Sequence, residues 1–215
     1  MASLSIIFED NHLLCLDKPG GLLTQPSGTT QDSLEAQAKA YLKEKYQKPG
    51  AVFLEAVHRI DRPVCGVVLF ARTSKALSRL NEAMRAGECE KEYRAVVSGI
   101  PRARKGTLRN FLVHDEHFAR VVPSGTPGAK EAVLSYVVLE ERGAGQAFLK
   151  ILLGSGRYHQ IRAQLSHAGH PIVGDARYGS AVSYRAGCIA LQNWRLSIRH
   201  PVTHEQLSFT ALHNL

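Results

Sequence analysis

Apolar and polar positions divide this chain into short strand-like runs and three segments with helical spacing. Ile6–Phe8 and Leu13–Leu16 are apolar runs broken by the polar Glu9–His12, which predicts two short strands. Asp17-Lys18-Pro19-Gly20-Gly21 is a turn signal and Ser27–Thr30 reads as loop. Leu34, Ala38, Tyr41 and Leu42 share one helical face behind Asp32 or Ser33 as cap, and Pro49-Gly50 ends that segment. Val52–Ile60 and Val64–Ala71 read as strands separated by Asp61-Arg62-Pro63. Thr73 or Ser74 caps a second helix, with Leu77, Leu80 and Met84 on one face and Gly87 closing it. Glu90–Ser98 alternates with period two, placing Tyr93, Ala95 and Val97 on one side. Thr107–Val113 and Phe118–Val122 suit a hairpin, and Val133–Leu139 and Ala147–Leu153 read as central strands. A third helix runs from about Tyr158 to Ala168, with Gly169 as its stop, and Ile189–Ile198 and Gln206–Phe209 supply the last strands. Scattered helices among many strands, without βαβ alternation, indicate an α+β fold. No linker or repeat divides the 215 residues, so a single domain, 1–215, is expected.

Composition narrows the partners. Net charge is +8 and the sequence pI is about 9.5, which favours an anionic partner such as nucleic acid. No apolar run approaches the ~20 residues of a membrane span. The N-terminus lacks a basic lead and turns acidic at Glu9-Asp10, unlike a secretory signal. Cys15, Cys65, Cys89 and Cys188 lie far apart with no CxxC pair, which argues against a zinc knuckle and for reduced thiols in the cytoplasm. His114/His117 and His167/His170 lack a third ligand in sequence. No P-loop, G-x-G-x-x-G or G-x-S-x-G occurs around Gly125–Gly128 or Gly154-Ser155-Gly156, so an NTPase, a dehydrogenase and an α/β-hydrolase are disfavoured. No cofactor or metal is expected.

Two stretches carry candidate chemistry. His58-Arg59-Ile60-Asp61 puts one carboxylate between Arg59 and Arg62. On extended backbone Arg59 and Asp61 would point the same way, and Gly66 would let a backbone or ligand approach closely. Gly156-Arg157-Tyr158-His159-Gln160-Ile161-Arg162 puts Arg162 in the first turns of a helix, where a cation opposes the helix dipole. A buried carboxylate such as Asp61 would compensate it and stay ionised. His159 and Gln160 are orienting hydrogen-bonders in this reading. Tyr93 is either core or a platform for a stacked base.

Together these stretches resemble the RluA family of pseudouridine synthases. The resemblance rests on collinear segments: Asp17-Lys18-Pro19-Gly20-Gly21-Leu22, His58-Arg59-Ile60-Asp61, Lys91-Glu92-Tyr93-Arg94-Ala95, Gly156–Arg162, and Pro171-Ile172-Val173-Gly174-Asp175-Ala176-Arg177-Tyr178-Gly179, the last read as structural. Relatives usually carry Thr-Ser-Gly where this chain has Val64-Cys65-Gly66, and many carry a small N-terminal RNA-binding domain that this sequence is expected to lack. The resemblance implies one catalytic domain built on a largely antiparallel mixed sheet, with a central cleft and flanking helices. It implies isomerisation of uridine in RNA, with Asp61 as essential carboxylate, Arg162 as its ion-pair partner, Tyr93 stacking on the flipped base and Arg59 assisting extrusion. His58, Arg62, His159 and Gln160 would support substrate binding. Arg102, Arg104 and Lys105 are candidate backbone contacts, and Arg72, Lys75, Arg79 and Arg85 could extend that track. Transfer RNA and ribosomal RNA both stand open as substrate, and a monomer is the default. The alternatives are a catalytically silent RNA-binding protein of the same fold, and a glycosidase-like enzyme pairing Asp61 with Glu55 or Glu92, which would release free uracil.

Overall fold

The computed structural model describes residues 4–28 and 32–215. In chain order the elements are β1 (Ile6–Glu9), β2 (Leu13–Lys18), α1 (Leu34–Lys45), β3 (Glu55–Ala56), β4 (Cys65–Ala71), α2 (Ser74–Ala86) and β5 (Glu90–Ser98). They continue with β6 (Lys105–Asp115), β7 (Phe118–Val122), β8 (Lys130–Arg142), β9 (Gln146–Leu153), α3 (Gln160–His167), a 3-10 turn (Ala176–Tyr178), β10 (Leu191–Arg199) and β11 (Gln206–Thr210). The class is α+β. Among the described residues no helix is long and apolar enough to cross a membrane.

The chain divides into two compact units, one running to Lys91 and including Asn193–Asn214, the other Glu92–Gln192 with Leu215. In the first, β2 pairs antiparallel with β1 and with β4, and β10 with β11. Leu13, Cys15, Val67, Leu69, Leu80, Leu196 and Phe209 form its core. Ser33 caps α1 by accepting from the Ala36 N–H, and Thr73 caps α2 by accepting from the Ala76 N–H, each satisfying a donor the helix leaves orphaned. Gly66 has φ +111, and a Cβ there would overlap the Asn193 carbonyl, so the glycine admits the neighbouring strand's main chain.

In the second unit the order is β5-β9-β8-β6-β7, and every pairing is antiparallel. Helix α3 packs on β6 and β7 through Ala163, Leu112 and Ala119. The amide of Gln164, fully buried, donates to the carbonyls of Leu108 and Ala132 and to Asn110 Oδ1 (3.1, 3.2 and 2.8 Å). That polar staple fixes the rotation of α3 about its axis, and with it the direction of Arg162.

The strand expected over Val52–Ile60 reduces to the two residues of β3. Beyond it, Pro63 has no N–H to give a ladder, and the main-chain groups around Asp61 are taken by a turn instead of a strand.

Candidate active site

The candidate residues fall into two groups, one in each unit. In the first unit the 57–64 segment is irregular, so strand period does not align Arg59 with Asp61 as the sequence suggested. Asp61 is half-buried and Arg59 and Arg62 are exposed. The residues either side of Asp61 are clamped. Lys18, fully buried, donates through Nζ to the carbonyls of Pro19, Leu22 and Arg62 at 2.9, 2.7 and 3.2 Å. The Thr24 hydroxyl donates to the Ile60 carbonyl at 2.9 Å and accepts its N–H at 3.3 Å. Gly21 N–H donates to the Arg62 carbonyl, and Arg62 Nε donates back to the Gly21 carbonyl, both at 2.8 Å. The lysine-proline turn is therefore the bracket that fixes the main chain at Asp61. An ammonium gives three donors, which suits the carbonyls that line this turn.

His58 is part of the same bracket. Its Nε2 accepts the Leu69 N–H of β4 at 3.3 Å, so the ring braces the loop rather than reaching for substrate. Burial, and then the Lys91 charge, push its pKa from 6.5 down to about 3, and it stays neutral at any ordinary pH.

In the second unit Arg162 is 5% exposed in α3. Its Nε and Nη2 grip the two oxygens of Asp175 at 2.7 and 2.8 Å, a bidentate, charge-assisted pair. Nη1 lies 3.0 Å from His159 Nε2, and the guanidinium sits 4.9 Å over the Tyr178 ring. A guanidinium can only donate, so Nε2 of His159 accepts and its Nδ1 carries the proton. Nδ1 then donates to Tyr178 Oη at 2.9 Å, and that oxygen also accepts the Ala119 N–H at 2.9 Å. His159 occupies the left-handed region, φ +49, as N-cap of α3. Gly174, φ +87, permits the bend before Asp175, since a Cβ there would overlap Tyr184.

Asp175 and Tyr178 were the residues sequence reasoning passed over. They stood in the Gly174–Gly179 segment read as structural, and only that segment's presence pointed to them. Gln160 is turned inward: its Oε1 accepts from Ser155 Oγ (2.8 Å) and Arg157 N–H (3.0 Å), and its Nε2 donates to the Val133 carbonyl (3.0 Å). It braces the 155–160 loop instead of presenting an amide to substrate. Tyr93 lies on β5, 7% exposed, in register with Ile151. Glu92 is buried and ion-paired with Lys150 at 3.2 Å.

The basic track thins on inspection. Arg104 pairs with Glu141 at 3.2 Å and Arg109 with Glu131 at 2.6 Å. Arg72 is bonded to Glu9 and the Asp10 carbonyl, and Arg79 to the Pro201 carbonyl, so both serve their own unit. Arg102, Lys105, Lys75 and Arg85 remain exposed. Arg102 borders a cavity of about 470 Å³ shared with Leu108, Tyr136, Leu149 and His170.

Comparison with known proteins places this geometry. Residues 12–167 match the family described as RNA pseudouridylate synthase. The chain is 33% identical over 205 residues to an uncharacterized RNA pseudouridine synthase, YhcT, of Bacillus subtilis, covering 94% of this chain and 66% of that protein. It is 36% identical over 218 residues to the ribosomal large subunit pseudouridine synthase C of Haemophilus ducreyi, covering 96% and 64%. The chain thus spans just under two thirds of the length of these relatives. Among solved structures, human RNA pseudouridylate synthase domain containing 4 superimposes with a TM-score of 0.79 at 21% identity, covering 96% of this chain and 87% of that one. Human RNA pseudouridylate synthase domain containing 1 gives 0.75 at 20%, covering 98% and 84%.

Proposed function

The chain belongs to the RNA pseudouridylate synthase family, in its RluA group, and from that premise we propose that it isomerises uridine in RNA with Asp61 as the essential carboxylate. The reaction breaks the glycosidic C–N bond, turns the uracil in place and joins its C5 to the same ribose carbon. The C5 proton leaves and the ring nitrogen gains one, so atoms and electrons balance without a redox partner. A stacked base is out of reach, so the target is extruded. Arg59, exposed beside Asp61, fills or holds the vacated backbone. Tyr93 stacks on the uracil. Arg162 pairs with Asp61 and orients it.

The observation that carries this reading is the fixed state of Arg162. A guanidinium in the first turns of a helix is held rigid by a bidentate carboxylate and an imidazole, both within its own unit. Such preorganisation suits a cation that must position a reacting carboxylate, because reorganisation cost falls when the donors are fixed beforehand. The bracket around Asp61, supplied by Lys18, Thr24 and Gly21, serves the same end from the carboxylate's side.

The substrate we propose is ribosomal RNA of the large subunit, since the relative 36% identical carries that substrate in its name. The test is direct. Purified protein is incubated with large-subunit ribosomal RNA and, separately, with transfer RNA, and pseudouridine is read by carbodiimide-dependent primer extension. Asp61→Asn should bind RNA within about twofold of the parent and lose at least about 10³-fold in turnover. Turnover by Asp61→Asn near the parent rate would refute the assignment.

A further inference from the structure

Outside the residues assigned to chemistry, the second unit carries a stack of rings that ends in solvent. The His159 ring lies on Tyr158 at 3.9 Å and 17° between planes, and Tyr158 continues onto His114 at 4.0 Å and 34°. His114 is exposed near the tip of the β6–β7 hairpin, and Tyr158 is 37% exposed. The His114 ring is fixed, with Nε2 3.1 Å from the Glu116 carbonyl. Phe118, on the same hairpin and 43% exposed, meets Tyr178 edge-on at 5.9 Å.

Two arginines flank these rings. Arg177 sits 5.5 Å over Phe118 with Nη1 bonded to the His117 carbonyl at 3.2 Å. Arg157 donates through Nε to the Glu131 carbonyl at 3.0 Å. Both are exposed, and among the described residues no carboxylate pairs with either. Arg120 differs, being neutralised by Asp115 at 2.8 Å. Single exposed aromatics are ordinary on protein surfaces. Exposed rings joined in a fixed stack and bordered by uncompensated guanidinium groups are the arrangement that binds single-stranded nucleic acid: ring faces take bases, cations take phosphates.

We propose that His114, Tyr158 and Phe118 form a docking site for an unpaired nucleobase of the substrate RNA flanking the target uridine, with Arg157 and Arg177 holding the adjoining phosphates. This rests on the RNA-isomerase reading above. Extruding a uridine strips its neighbour of a stacking partner, and a fixed ring face replaces that partner at little cost in side-chain ordering. The inner end of the stack is His159, bonded to Arg162, so the docked base lies one ring stack away from the guanidinium assigned to the chemistry.

The test uses the whole chain, a fluorescent single-stranded oligoribonucleotide containing uridine, and a blunt RNA duplex of the same composition. His114→Ala with Phe118→Ala should weaken single-strand binding about 5- to 100-fold, the range for losing one stacked base, and change duplex binding less than about twofold. His114→Trp alone should hold or raise single-strand affinity, because a larger ring face remains. Unchanged single-strand affinity in the double variant, or an equal loss for both RNAs, overturns the proposal. The two readings fail separately: if Asp61→Asn still turns over while binding depends on the stack, the active-site assignment falls and the docking site stands. If the double variant binds normally while the parent protein isomerises, the reverse holds.

Discussion

Lys18 and Arg162 are both buried cations. Lys18 donates to main-chain carbonyls and Arg162 grips a carboxylate. The bidentate grip is planar, so it sets the angle at which Arg162 presents its guanidinium. Asp175→Asn keeps an acceptor but loses the charge and one half of the grip. It should lower kcat about 10- to 100-fold, as misplacement of a catalytic group does, with KM for RNA unchanged and partial recovery in Asp175→Glu. A parallel rise in KM would instead mark Asp175 as part of RNA binding.

His58 has its own signature. Its folded pKa of about 3 lies below the free value of 6.5, so the unfolded chain binds the extra proton in that window and stability is lost as pH falls through it. The urea midpoint of the parent should therefore drop between about pH 6.5 and 4, and His58→Gln should show a shallower fall. At this scale the sequence singled out Asp61 and Arg162 by motif, and named Asp61 as a candidate carboxylate for Arg162. Asp175 escaped because spacing of 13 residues across a loop does not report side-chain direction. His58 and Gln160 stood as substrate contacts through the resemblance; their inward bonds to Leu69 and Val133 add a bracing role that the motifs do not report.

At the scale of elements, legibility tracked local chemistry. Helix α2 begins at Thr73 and ends at Gly87 in the left-handed region, φ +75, as cap preferences dictate. The β6–β7 hairpin was expected over Thr107–Val113 and Phe118–Val122, and those strands pair antiparallel. The segment 52–60 was not, since its apolar composition suits a strand, yet beyond β3 the Ile60 main chain bonds to Thr24, 36 residues earlier in the chain. Such long-range capture leaves no periodic trace. Two stability measurements check this level by chemical denaturation. Ser33→Ala should cost about 1 kcal/mol, the usual worth of an N-cap. Gly66→Ala should cost more than about 3 kcal/mol, because the new Cβ meets the Asn193 main chain at a positive φ; a loss below about 1 kcal/mol would mean that β4 and β10 can separate cheaply.

At the scale of the whole molecule, the excess of 27 Lys and Arg over 19 Asp and Glu gives the sign of the partner, but only the fold decides which cations are spare. Arg72, Arg104 and Arg109 are committed to carboxylates, while Arg102 and Lys105 are exposed. RNA affinity should fall steeply with salt, and replacing Arg102 and Lys105 by Gln should reduce the log–log slope by about 0.7 per lost phosphate contact. An unchanged slope would assign those two residues to ordinary solvated surface.

In the proposed function Asp61, beside the lysine-bracketed turn, is the carboxylate that makes pseudouridine in RNA. Pseudouridine mapping of large-subunit ribosomal RNA tests it most directly, in cells lacking the gene and complemented with either the parent or Asp61→Asn. At least one site should vanish with the gene, return with the parent and stay absent with the variant. Return of that site with Asp61→Asn would contradict it.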